Sequence, residues 1–148
     1  MNKVTVIGAG AWGTTLAQVL SDAGNQVLLW ARNHEVVSEL NKYKTNKNYL
    51  SGIQLPDNIQ ATSDIAVALA FSDIYVLAIP TQQLRQMLKD WQPYLNQNAT
   101  VVSTLKGIEL TTDLRVSEVI SQVWGDVNFA LITGPNLADE LALRHRGR

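Results

Sequence analysis

The chain contains no cysteine, which excludes a disulfide scaffold, a thiolate metal site and a cysteine nucleophile within its 148 residues. Nothing in it needs an oxidising compartment, so a cytoplasmic setting is expected. Histidine is scarce too. His34 and His145 are too few and too far apart to suggest a metal site, and no metal is expected. Long apolar runs are missing: the longest, Ile65 to Phe71, falls far short of the roughly 20 residues that span a bilayer, so no membrane insertion is expected. Glycines at positions 8, 10 and 13 break up any apolar core of a signal peptide. A strong charge of one sign is also lacking. The net charge is −1, and with Arg144, Arg146 and Arg148 in the last eight residues, residues 1–140 hold 9 bases against 13 acids. A mildly acidic body is a poor nucleic-acid surface, and no nucleic-acid partner is expected.

What is present suits one ordinary domain. Hydrophobic residues make up 46% and charged residues 17%, unlike a disordered chain. Short β-branched or aliphatic runs at Lys3–Ile7, Gln26–Trp30, Ile59–Thr62, Ile74–Ile79, Thr100–Ser103 and Phe129–Thr133 read as strands. Between them lie segments of helical period. Leu16, Val19, Leu20 and Ala23 predict one buried helix face, with Gly24 at its C-terminal cap. Asn33 is placed to cap a helix that turns Val36, Val37 and Leu40 inward, and Ser63 and Asp64 to cap an alanine-rich one. Leu84, Met87, Leu88 and Trp91 predict another buried stripe, as do Val116, Val119, Ile120 and Val123. Pro80 is expected to end the fourth strand and open the next helix. Residues 41–58 break the rhythm with four asparagines, three lysines, Gly52 and Pro56, and are expected to form a long, mobile surface loop. Strands that alternate with helices, and that are continuously apolar, predict an α/β fold: a Rossmann-like doubly wound parallel sheet with helices on both faces.

Gly8-Ala9-Gly10-Ala11-Trp12-Gly13 reads G-x-G-x-x-G, directly after the first strand and at the start of a helix. That context suits a dinucleotide. Gly8 permits the tight turn, Gly10 lets backbone N–H groups approach a pyrophosphate, and Gly13 lets the helix pack against the sheet. At the end of the second strand, where an NAD site usually offers an acid, the sequence has Trp30-Ala31-Arg32-Asn33. Arg32 suits a 2′-phosphate through paired hydrogen bonds; the alternative is a solvated surface arginine. Trp12 either covers a nucleotide site or fills the core between helix and sheet. Ligands of such a sheet bind beyond the carboxyl ends of its strands, and Lys106 is the one cation among the fourth, fifth and sixth strand ends. Glu109 and Asp139 are read as solvated.

The segments VIGAGAWGTTLA (6–17), WARN (30–33), NKNYLSGIQLP (46–56), LAIPTQQLR (77–85), STLKGIE (103–109) and ITGPNLADE (132–140) resemble the N-terminal half of bacterial-type NAD(P)-dependent glycerol-3-phosphate dehydrogenases. Tryptophan in the glycine loop and LKGIE are more specific than the glycines. The resemblance implies interconversion of dihydroxyacetone phosphate and sn-glycerol 3-phosphate by NADPH or NADH, feeding phospholipid synthesis. It implies cofactor contacts at Ala11, Trp12, Arg32, Asn33, Tyr49, Lys106 and Ala138, and substrate contacts at Lys106, Gly134 and Asn136. Ala11 stands where the family often has Ser, and Asn136 where it usually has Ser or Thr. The family continues into a largely helical domain that holds the catalytic lysine. Residues 1–140 are thus expected to be the dinucleotide-binding domain and 141–148 an atypical basic tail. No catalytic residue is expected in this chain, where Lys106 only assists, and the chain alone should bind cofactor without enzyme-like turnover. A homodimer through the face left bare is a further expectation. The alternative is a non-catalytic NAD(P)-binding module.

Overall fold

The computed structural model describes residues 1–135 and 137–144. Six strands form one wholly parallel sheet: β1 (Lys3–Ile7), β2 (Gln26–Trp30), β3 (Ile59–Thr62), β4 (Ile74–Leu77), β5 (Thr100–Ser103) and β6 (Asn128–Leu131). Their order is β3-β2-β1-β4-β5-β6. The chain winds outward from β1 in one direction, then returns and winds outward from β4 in the other. The switch between β1 and β4 opens a crevice at their carboxyl ends, where ligands of such sheets bind.

Helices cover both faces. Alternate residues of β1 part to the two sides: Val4 and Val6 join a core with helices α1 (Ala11–Asp22) and α2 (His34–Tyr43), whereas Ile7 joins a core with α3 (Ile65–Phe71), α4 (Leu84–Trp91) and α5 (Val116–Trp124). The second core is rich in large aromatics. Trp30 meets Trp91 edge-on at 5.2 Å, and Tyr75 meets Trp124 at 6.4 Å. Tyr75 Oη donates to the Leu69 carbonyl and Trp124 Nε1 to that of Leu88, as buried aromatics of this kind require. The stripe Leu84, Met87, Leu88 and Trp91 is buried as the periodicity predicts. In α5, Trp124 joins Val116, Val119 and Ile120, and Val123 is only partly buried. Asp64 caps α3 by accepting from Ala66 and Val67 N–H, and Asn33 caps α2 by accepting from Glu35 N–H.

Four expectations are corrected. In α1 Leu16 and Leu20 pack partly buried against the core as the period predicts, but the fully buried residues are Gly13, Thr14, Thr15, Ala17, Gln18 and Ser21, while Val19 is 42% exposed and Ala23 lies on the surface. The cause is a second neighbour: α6 (Ala138–Ala142) also packs on α1, and takes hydrogen bonds at its carbonyls from Thr15 Oγ1 (3.3 Å) and Gln18 Nε2 (3.1 Å). Small and polar side chains therefore fill the space that bulk would obstruct. β4 ends at Leu77 rather than Ile79, and Pro80 stands before a short 3₁₀ turn, Thr81–Gln83, not inside a helix. β6 runs from Asn128 to Leu131 rather than to Thr133, and it is exposed along its length, unlike the other outer strand, β3, whose Ile59 and Ala61 are buried. The 41–58 segment is anchored: α2 reaches Tyr43, and Asn46, Leu50 and Leu55 are buried. Among the described residues no helix is long and apolar enough to cross a membrane, and no three His, Asp or Glu side chains gather as a metal site would need. In the basic tail Arg144 pairs with Asp22, at 3.1 Å; residues 145–148 lie outside the described part.

Candidate functional site

The turn between β1 and α1 has almost no room for side-chain atoms. Gly8 adopts a φ of +118°, and a Cβ there would collide with the Ala78 carbonyl on the neighbouring strand end. A Cβ on Gly13 would collide with the carbonyl of Gly8. Gly10 differs. A Cβ there would meet nothing within 4 Å, so packing does not demand glycine at that position. Gly10 is also the N-cap of the 12-residue α1, and no side chain caps that end. The free space stands against uncapped N–H groups at the positive end of a helix, which is the environment that attracts a phosphate.

Two clefts adjoin this turn, of about 510 and 460 Å³. Both are lined by Ala11, Trp12, Ala78, Ile79 and Pro80, so they form one continuous crevice across the switch point. The larger holds Gly8, Gly10 and Gly13, with Arg32, Asn33 and Tyr49 along its far side. The smaller holds Lys106, Gly134 and Ala138. Among the described residues each half has one charged lining group, Arg32 in the first and Lys106 in the second, and no carboxylate lines either. An elongated anion matches this distribution. Trp12 is half-buried and borders both halves, so it is a wall of the crevice rather than core filling. Arg32 is exposed at the rim, as is Tyr49, 54% exposed. The Asn33 side-chain oxygen is engaged in capping α2, at 2.7 Å from Glu35 N. Lys106 Nζ lies 3.5 Å from the Gly134 carbonyl oxygen. The Ala138 carbonyl accepts from Thr15. Asn136 lies outside the described residues.

The sequence reading of Glu109 as a solvated acid is corrected. Its side chain is buried and receives Arg85 Nε at 3.0 Å on both oxygens and Nη2 at 2.9 Å. These hydrogen bonds, with one from Thr112, hold the carboxyl below its ordinary value, and the same contact raises Arg85. Asp139 is exposed, as read. Asn46 escaped the sequence reading altogether. Its Nδ2 donates to the Ala9 carbonyl and to Thr14 Oγ1, both at 2.9 Å, so a buried amide ties the Tyr49 loop to the glycine turn. Nothing distinguishes this asparagine from its three neighbours in composition; only the folded chain singles it out.

Comparison with known proteins agrees with the crevice. The family model described as the N-terminus of NAD-dependent glycerol-3-phosphate dehydrogenase matches residues 3–147. The glycerol-3-phosphate dehydrogenase (NAD(P)+) of Corynebacterium glutamicum is 51% identical over 144 residues, which cover 96% of this chain and 43% of that protein. Glycerol-3-phosphate dehydrogenase (NAD(P)+) 2 of Mycobacterium tuberculosis is 49% identical over 143 residues, covering 95% and 43%. Among solved structures, the glycerol-3-phosphate dehydrogenase of Saccharomyces cerevisiae matches with a TM-score of 0.90 at 30% identity, over 99% of this chain and 45% of that one. The enzyme of Coxiella burnetii gives 0.89 at 27%, over 96% and 43%. The chain spans less than half the length of these relatives. The glycine turn, the switch-point crevice and these matches agree that the chain belongs to the NAD-dependent glycerol-3-phosphate dehydrogenase family, as its N-terminal part.

Proposed function

We propose that residues 1–140 are the dinucleotide-binding domain of an enzyme that interconverts dihydroxyacetone phosphate and sn-glycerol 3-phosphate with NADPH or NADH. The observation that carries this reading is the single crevice with a cation at each end and an uncapped helix N-terminus between them. Gly10 and the first turn of α1 receive the pyrophosphate. Arg32 receives a 2′-phosphate, with Asn33 and Tyr49 beside the adjoining ribose. Trp12, with Ala11 and Ala138, walls the passage toward the second half. There Lys106 and Gly134 form one side of the substrate site, with Asn136, outside the described residues, kept as a substrate contact on the family resemblance alone. When bound, the dinucleotide supplies the hydride that the carbonyl carbon accepts on reduction. Lys106 holds an ammonium where the substrate's oxygen or phosphate would lie, and its charge favours anion there.

Calorimetric titration of the chain tests the reading. NADPH is expected to bind at least as tightly as NADH. Arg32→Ala should weaken NADPH by about tenfold or more, the worth of a charged hydrogen bond, and leave NADH nearly unchanged. Equal losses for both dinucleotides, or tighter NADH binding by the unaltered chain, would count against the role given to Arg32. Failure to bind either would count against the whole proposal.

A further inference from the structure

The turn carrying Lys106 has little regular structure of its own, yet its backbone is gripped along its length by one short stretch of the chain. Thr81 Oγ1 donates to the Lys106 carbonyl at 2.8 Å. Gln82 spans the next turn: Nε2 donates to the Ile108 carbonyl and Oε1 accepts from Leu110 N–H, both at 2.9 Å. Arg85 then closes on the Glu109 carboxylate with three hydrogen bonds of 2.9–3.0 Å. Thr81, Gln82 and Arg85 thus hold residues 106–110 between them. The buried Glu109 carboxylate also accepts from Thr112, and Arg85 Nη2 reaches Gln122 of α5. The fold does not need this array to seat α4, whose Leu84, Met87, Leu88 and Trp91 already lie in the core. What the array fixes is where the Lys106 main chain stands beside Gly134 and the second half of the crevice. A lysine stem has about 2 kcal/mol of rotamer entropy, so its aim depends on how firmly its base is held.

We infer that Gln82, Arg85 and Glu109 are positioning residues for Lys106: they set its reach into the Gly134 end of the crevice and touch no ligand themselves. The inference rests on the proposed role of Lys106 in cofactor and substrate binding.

Two probes separate the halves of the site: NADPH, which fills both, and 2′,5′-ADP, which fills only the Arg32 half. Calorimetry on the whole chain should show that Glu109→Gln weakens NADPH by roughly three- to tenfold, the scale of one or two hydrogen bonds, and leaves 2′,5′-ADP within about twofold. Gln82→Ala, which removes no buried charge, should do the same and decides the matter if Glu109→Gln does not fold. Lys106→Met should show the same selectivity, and Glu109→Gln added to Lys106→Met should cost nothing more. A role in folding alone would weaken both probes alike, or add to the Lys106→Met loss; either result overturns the inference. So does an unchanged NADPH affinity in both single variants while the unaltered chain binds both probes. Binding of neither probe by the unaltered chain overturns the proposed function itself, and this inference with it.

Discussion

Two turns at the carboxyl ends of neighbouring strands build the crevice by opposite means. The turn after β1 is made of backbone: its tightness comes from Gly8 and Gly13, where any Cβ would strike a main-chain carbonyl, and from the Gly8 N–H donated to Trp30 at 3.0 Å. The turn after β5 is made of side chains, clamped by Thr81, Gln82 and Arg85 from about 25 residues away. The first should be intolerant of added atoms and indifferent to pH. The second should accept changes of shape more readily and depend on the charge of Glu109.

The sharpest test of the first half is Gly13→Ala. Its Cβ meets the carbonyl of Gly8, whose N–H is bonded to Trp30 of β2, so a loss of about 3 kcal/mol is expected from such overpacking, read by chemical denaturation. A change under half that would show that the helix can move off the turn. Gly10→Ala breaks the comparison in a different way. The added methyl meets open space, so stability should stay within about 1 kcal/mol of the unaltered chain. NADPH affinity should nevertheless fall by about tenfold or more if the pyrophosphate sits where the proposed function puts it, against Gly10. Unchanged affinity would mean the pyrophosphate sits elsewhere.

The smallest effect belongs to the second turn. Arg85 and Thr112 lower the Glu109 carboxyl in the folded chain, so its charged form stabilises the fold above the ordinary carboxylate range. That contribution is lost as pH falls through the lowered value. Melting temperature followed into acid should therefore drop more steeply for the unaltered chain than for Glu109→Gln, with parallel curves near neutrality. Glu118 is also lowered, by Arg115, but that pair is exposed and Glu118→Gln should change the acid limb less. Equal slopes in all three would deny the Arg85–Glu109 pair any special weight.

Legibility followed the same divide. β1, β2, β3 and β5 have the bounds their apolar runs predict, and the α4 stripe is buried as its period requires. The α1 face is legible in part, for Leu16 and Leu20 but not for Val19 and Ala23, because hydrophobic period assumes one covering neighbour. Here the sheet and α6 share the helix, and Gly13, Ala17 and Gln18 suit that space better than leucine. The apolar run at Phe129–Thr133 predicts β6 with bounds shifted by one or two residues, and its exposure has no counterpart in its composition, because which elements cover a strand is a property of the tertiary fold. The pairing of Asn46 with Ala9 and Thr14, and of Glu109 with Arg85, has no local signal, since these partners lie more than twenty residues away.

The sequence by itself determined the parallel α/β architecture and the tight glycine turn, because strand burial, helix period and a turn without Cβ atoms are constraints between near neighbours. Only the tertiary structure decided that Trp12 walls a crevice, that Glu109 is paired, and that Lys106 and Gly134 meet. Those outcomes depend on which segments the sheet order brings side by side, and a polar side chain's partner across such a junction leaves no pattern in the residues around it.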